Sequence, residues 1–314
     1  MTLAIGVDIG GTKVAGGVVT EEGRVLASAR RPTPSSDPGQ TAAAIAAVVA
    51  ELRAEHEVGA IGIGAAGWID LARATVLFAP NLAWRDEPLK DRLEQLIGLP
   101  VVVENDANSA AWAEHRFGAA RGQAVVAMIT LGTGIGSGLV VAGEVYRGAN
   151  GIAPEFGHMC VVPGGRRCGC GNRGCWEQYA SGKALVREAR DIASGAPLSA
   201  AGLLAAAGGD IVGIDGPAVT AAALAGDAAA RECFDEVGQW LGTGMSALAS
   251  ALDPSCFVIG GGVADAGSLL LDPTRRAFEA TLPGRGFRPM PSVYLAELGN
   301  AAGLIGAADL ARPI

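Results

Sequence analysis

Aromatic side chains are scarce in this 314-residue chain, at 5%, and histidine occurs three times. Basic residues are also in short supply, 24 against 32 acidic ones, which leaves a net charge of -8 at pH 7. That balance argues against nucleic acid as the main partner, because neutralising phosphates needs a basic face. A charged leader is missing: Asp8 and Lys13 stand inside the first apolar run, so no secretory signal is expected. An uninterrupted hydrophobic span is missing as well. Residues 122–143 carry no charge and are long enough to cross a bilayer, but Gly132, Gly134, Gly136 and Gly138 break them, together with Thr130 and Thr133. They read as two buried strands joined by a glycine turn, and no membrane association is expected. A Walker A loop is absent, since no Gly-Lys-Ser/Thr follows the required spacing.

What is present is a chain of 50% hydrophobic residues with 47 glycines. It is too apolar, with too little net charge, to be disordered, and long enough for two domains or one large one. Of six cysteines, Cys160, Cys233 and Cys256 sit in apolar or mixed surroundings and read as unpaired core thiols. The other three belong to the most informative stretch, 155–177, EFGHMCVVPGGRRCGCGNRGCWE. His158, Cys168, Cys170 and Cys175 offer one imidazole and three thiolates, a closed tetrahedral set for structural Zn2+ with no position left for a reacting water. Such a site organises a loop, here one that carries Glu155 and Glu177 at its ends. A cytoplasmic location, with reduced thiols, disfavours a disulfide.

Along the chain, LAIGVDI, GGTK and VAGGVVT read as a strand, turn and strand, followed by a third strand RVLASAR. A helix capped by Asp37 or Thr41 should run to Glu57, AIGIGAAG is a buried strand, and PLKDRLEQLIG a short helix closed by Gly98. PVVVEND is another buried strand opening onto a helix, SAAWAEHRFG. A second meander follows: AVVAMIT, LGTGIG, SGLVVAG. Placing Asp8 over Thr130 superimposes Gly10 on Gly132, Gly16 on Gly138 and Val18-Val19 on Val140-Val141, which indicates two similar α/β domains. A long helix over 228–252, the strand CFVIG, the turn GGGV and helices over 273–281 and 303–310 complete the chain.

Three glycine turns are candidates for nucleotide phosphates, because backbone N–H groups without side chains approach an anion closely. They are Asp8, Gly10, Gly11, Thr12 and Lys13; Gly132, Thr133, Gly134 and Gly136; and Gly261 with Gly262 ahead of a helix N-terminus. Each alone is merely a glycine-rich turn; together, in a repeated frame, they point to a nucleotide held between domains. At VVVENDANSA, Asp106 ends a buried strand, where a carboxylate can take the proton of a hydroxyl that attacks a γ-phosphorus. Asn108 is expected to cap the helix, leaving Asp106 free for catalysis.

In their order and spacing, DIGGTK, ENDAN, LGTGIGSG, EFGH and the cysteine run from Cys168 to Glu177 resemble the ROK (repressor, ORF, kinase) family of sugar kinases. The resemblance covers nearly the whole chain. It implies an α/β, two-domain actin/hexokinase/Hsp70-like ATPase fold with duplicated domains and a cleft between them. The smaller domain would comprise 1–116 plus about 300–314, and the larger 117–299 with the zinc loop. It further implies Asp106 as general base, with Gly67, Asn81, Asn105, Glu155, His158 and Glu177 around the sugar. Ala66 stands where the family commonly has proline.

From the same resemblance the substrates would be a small-molecule sugar and ATP, with Mg2+ bridging the phosphates and Asp8 the nearest carboxylate, acting through water. The activity implied is ATP-dependent phosphorylation of glucose to glucose 6-phosphate. The alternatives are another hexose or an N-acetylhexosamine, and then a sugar-responsive repressor, for which a DNA-binding domain has no room ahead of the first strand at about Leu3. A homodimer or homotetramer is implied too.

Overall fold

The computed structural model describes residues 3–312. In chain order the strands and helices begin with β1 (Ala4–Ile9), β2 (Lys13–Val19), β3 (Val25–Pro32), α1 (Pro38–Arg53) and β4 (Ala60–Ala65). There follow β5 (Trp68–Ile69), β6 (Val76–Phe78), β7 (Arg85–Glu87), α2 (Leu89–Ile97), β8 (Val101–Asn105) and α3 (Asp106–Phe117). Next come β9 (Val125–Leu131), β10 (Ile135–Val141), β11 (Glu144–Val145), α4 (Gly182–Gly195), α5 (Ala201–Ala206) and α6 (Gly216–Leu224). The chain ends with α7 (Ala228–Leu252), β12 (Cys256–Gly260), α8 (Ser268–Thr281), β13 (Ser292–Leu295) and α9 (Ala302–Leu310).

Two five-stranded sheets have the orders β3-β2-β1-β4-β8 and β11-β10-β9-β12-β13. Each is a three-strand meander whose first strand pairs next with a fourth and then a fifth. The repeat seen in the glycine turns is therefore a repeat of topology. The described residues form two compact units: one takes the chain up to Met128, Ser137–Pro154 and everything from Ala296; the other takes Ile129–Gly136 and Glu155–Leu295.

In the first unit, alternation along β1 sends Ile5, Val7 and Ile9 to one face and Gly6 and Asp8 to the other. The apolar face joins Ile61, Ile63, Val101 and Val103 with Ile45, Val48 and Leu52 of α1 in a buried core. Helix α1 starts where the Asp37 side chain accepts the Gln40 N–H at 2.9 Å and Pro38 occupies its first turn. It stops at Arg53, short of Glu57. On the opposite face α9 lies almost backbone to backbone on the sheet. A Cβ on Gly6 would strike the Leu304 carbonyl, and one on Gly62 the Ala307 carbonyl. Glycine at these two sites is what lets α9 dock.

In the second unit, α7 packs along α8, with Gly238 and Gly242 facing Pro273, Thr274 and Phe278. Helix α8 begins at Ser268, five residues ahead of the start that Pro273 signals. The space left by Gly238 accommodates the proline ring inside the helix. Between β11 and α4 the chain forms two short 3-10 turns, Phe156–His158 and Trp176–Gln178. The second is anchored by the Trp176 indole, which donates to the Trp240 carbonyl of α7 at 2.8 Å. Among the described residues no helix is long and apolar enough to cross a membrane.

Candidate active site

Strand β8 ends at Asn105 and α3 begins at the next residue, so Asp106 stands at the first helical position. Capping falls to Asn105, not Asn108: the Asn105 Oδ1 accepts the N–H groups of Ala107 and Asn108 at 2.9 and 3.0 Å. The helix starts earlier than the run SAAWAEHRFG implies, which turns Asn108 inward, where its amide donates to Glu104 Oε1 at 3.3 Å. Asn105 also donates its Nδ2 to the Gly67 carbonyl at 3.1 Å. Gly67 has φ +141°, and a Cβ there would collide with the Phe78 carbonyl, so the loop conformation requires glycine.

One Asp106 oxygen accepts the Ala107 N–H at 2.9 Å. The side chain keeps some exposed surface yet is closely surrounded, and loss of water pushes its carboxyl above the usual range. Asp8 points from β1 toward α9, against Gly303. Burial and then the charge of Asp106 raise Asp8 to about 7, against an opposing pull from Lys13. Two neighbouring carboxylates, both displaced upward, form the kind of pair found where a proton must be moved or a cation held. Beyond Asp8 the turn is closed by the Gly10 N–H donating to the Lys13 carbonyl at 3.1 Å, with Thr12 and Lys13 exposed. Gly11 abuts the Cβ of Asn81. The first unit thus brings Asp8, Gly10, Gly11 and Asn81 into one neighbourhood, and Gly67, Asn105 and Asp106 into another beside it.

The second unit assembles His158, Cys168, Cys170 and Cys175, whose ligand atoms all lie within 4.8 Å of one another. The His158 Nδ1 is 3.6 Å from the Cys168 sulfur, and the sulfurs of Cys170 and Cys175 are 3.6 Å apart. Those separations approach the edges of a tetrahedron with metal–ligand bonds of about 2.0–2.3 Å, and the donor types suit zinc. Burial pushes the Cys168 thiol up, so a thiolate there calls for a cation. The carboxylates flank the histidine: Glu155 lies 4.0 Å from Nε2 and Glu177 4.0 Å from Nδ1. Glu177 also accepts from the Cys168 thiol at 3.0 Å.

The Glu177 carboxylate rests against Gly134, where a Cβ would collide with it. That glycine turn is tied down on both sides. The Gly182 N–H, at the start of α4, donates to the Gly132 carbonyl at 2.8 Å, and the Val263 N–H donates to the Leu131 carbonyl at 3.1 Å. A groove of about 1090 Å³ opens beside this junction, lined by Thr133, Lys183, Gly262 and Asp265 and walled by Leu185, Pro217 and Leu224. Gly182, Lys183 and the walls from α4 and α6 escape a motif reading. Their only sequence signal is the Ser181 cap ahead of an amphipathic run.

Fold and site together define an α/β phosphotransferase-type chain, and comparison with known proteins gives its family. The ROK family model matches residues 4–314. The chain belongs to the ROK family. It is 52% identical over 312 residues to a glucokinase of Streptomyces coelicolor, covering 99% of this chain and 98% of that one. Among solved structures, a ROK family glucokinase from Streptomyces griseus in complex with glucose and AMPPNP is 55% identical, with a TM-score of 0.92 and 99% of each chain covered. A ROK hexokinase from Thermus thermophilus is 36% identical, with a TM-score of 0.79 over 99% of this chain and 98% of that one.

Proposed function

We propose that this protein is an ATP-dependent glucokinase that forms glucose 6-phosphate and ADP. The observation that carries this reading is full-length similarity, at 55% identity, to a glucokinase that binds glucose and AMPPNP. Asp106 is the general base. As the 6-hydroxyl oxygen bonds to the γ-phosphorus, its proton passes to the Asp106 carboxylate and the bond to the leaving ADP oxygen breaks. The raised carboxyl suits that role, since a base works best with a pKa brought toward the working pH.

The remaining sugar hydroxyls are bound by Gly67, Asn81, Asn105, Glu155, His158 and Glu177. These groups reject analogues that leave them unpaired. Nucleotide phosphates lie along the turns at Gly10–Lys13, Gly132–Gly136 and Gly261–Gly262, and the nucleoside occupies the groove beside Lys183. Asp8 is the carboxylate that would hold, through water, the Mg2+ accompanying ATP, and that ion would supply neutralisation of the phosphate charge. His158, Cys168, Cys170 and Cys175 hold one structural Zn2+, which fixes the loop bearing Glu155 and Glu177. The enzyme acts in the cytoplasm as a homodimer or homotetramer.

Steady-state kinetics on a panel of sugars with ATP and Mg2+ tests the reading. Glucose should have the highest kcat/KM, with weaker activity on mannose and 2-deoxyglucose. A value ten times that of glucose for N-acetylmannosamine, N-acetylglucosamine or fructose would overturn the choice of sugar, and no turnover of any sugar would overturn the kinase.

A further inference from the structure

Just ahead of the proposed base, Glu104 is 1% exposed and Arg147 7% exposed. Two buried opposite charges, one opening the run ENDAN and the other outside the motifs, require a reason, because a well-packed apolar pair usually stabilises a fold at least as well. Their partners supply one. The Glu104 Oε1 accepts the Asn105 backbone N–H at 2.9 Å, the Asn108 amide at 3.3 Å and the Arg147 Nε at 3.1 Å. Its Oε2 lies 3.0 Å from the Nε of both Arg73 and Arg147. One carboxylate thus holds the strand end, the first turn of α3 and two guanidinium groups.

Arg147 carries the connection onward. Its Nη1 donates to the Leu71 carbonyl at 3.0 Å, and its Nη2 to the carbonyls of Asp70 and Ile69 at 2.9 and 3.4 Å. The Val103 N–H meets the Arg73 carbonyl at 3.0 Å, and Asn105 reaches the Gly67 carbonyl. The segment from Gly67 to Arg73 is therefore stitched to the β8–α3 junction at five backbone carbonyls and one side chain. A planar guanidinium forks to several acceptors at once, which a lysine ammonium cannot reproduce.

We propose that the Glu104–Arg147 pair, with Arg73, positions the sugar-binding segment at Gly67 relative to Asn105 and Asp106. Neither residue touches the reacting atoms. Both act by fixing the distance between the base and the loop that presents the sugar, where a displacement of about 1 Å can cost on the order of 100-fold in rate. This inference rests on the sugar-kinase reading.

Kinetics of Arg147→Lys and of the double variant Glu104→Gln/Arg147→Met test it. The double variant removes both charges and so guards against a fold lost to an unpaired ion. Each should raise the KM for the preferred sugar about tenfold and lower kcat about tenfold, while the KM for ATP stays within about twofold. Hydrogen exchange at the amides of 67–73 should speed up in both. A merely structural role would lower the active fraction without moving the sugar KM. Variants that keep a native sugar KM, or raise both KM values alike, would overturn the proposal. If the native protein turned over no sugar the kinase reading would fall, and exchange at 67–73 would still decide whether Arg147 holds that loop.

Discussion

Asp8 and Glu104 stand in one register row of the first sheet, with only Gly64 between them across β1, β4 and β8. Their carboxylates meet opposite treatment. Glu104 is clasped by two arginines, whereas Asp8 faces a second carboxylate, Asp106, with Lys13 as partial compensation. Structure spends its counter-charges on the buried anchor and leaves the anion beside the glycine turn high in energy. A group in that state is available to a cation.

That tension sets a pH dependence. Asp8 moves from 3.8 to about 7 on folding, so the folded state holds its proton more tightly than the unfolded state. The resulting stabilisation is complete below pH 3.8 and is lost as pH rises through about 7. Asp8→Asn should therefore raise the melting temperature of the ligand-free protein by a few degrees at pH 8 and by much less near pH 5, while abolishing most activity. Calorimetry at the two pH values checks this. An equal or smaller gain at pH 8 would show that Asp8 is not strained.

Asp106→Asn should leave the fold and sugar binding intact and lower kcat by about 10²–10⁴-fold. Because desolvation lifts its carboxyl, kcat/KM of the native enzyme should begin to fall, on acidification, at a pH above the usual carboxylate range. Turnover measured against pH, beside sugar titration without ATP, separates the two effects. Near-normal turnover in the variant would assign the base elsewhere.

Much of this molecule is legible in its sequence because local rules govern it. Alternation marks β1, a charge-free apolar run marks β9, Asp37 and Pro38 mark the start of α1, Gly98 marks the end of α2, and dense His/Cys spacing marks the ligand cluster. What escapes is set by distant contacts. The start of α3 is shifted because Asn105 finds its donors two and three residues on while Asn108 is drawn to Glu104. Pro273 sits within α8 because a glycine 35 positions earlier makes room for its ring. Arg147 looks like a surface residue in a turn until its carbonyl partners, some 76 to 78 residues away, are known.

Metal content tests the ligand cluster directly. Protein purified without chelators should carry one zinc per chain, and Cys170→Ser should lose it. Because a preformed site holds its segment folded, the loss should also lower the melting temperature and raise the sugar KM through the loop that carries Glu155 and Glu177. Elemental analysis showing no zinc in the native protein would remove the metal from the account, although the four side chains would still lie together.

Gly134→Ala probes the link between the glycine turn and Glu177, the carboxylate proposed to bind sugar. The new methyl group would occupy the space of the Glu177 carboxylate, which is anchored through Trp176 to α7 on one side and accepts from Cys168 on the other. The carboxylate must then swing away, because the backbone of the turn is pinned at Gly132 by Gly182. The sugar KM should rise about tenfold with a smaller fall in kcat, since the proposed base, Asp106, lies on another element and is untouched. Melting should change little, since the residue displaced is a partly exposed side chain and not the core. Glu177→Gln made in the Gly134→Ala background should add little further to the KM, because both changes disable the same contact. Fully additive effects in that cycle would show that Gly134 and Glu177 act separately.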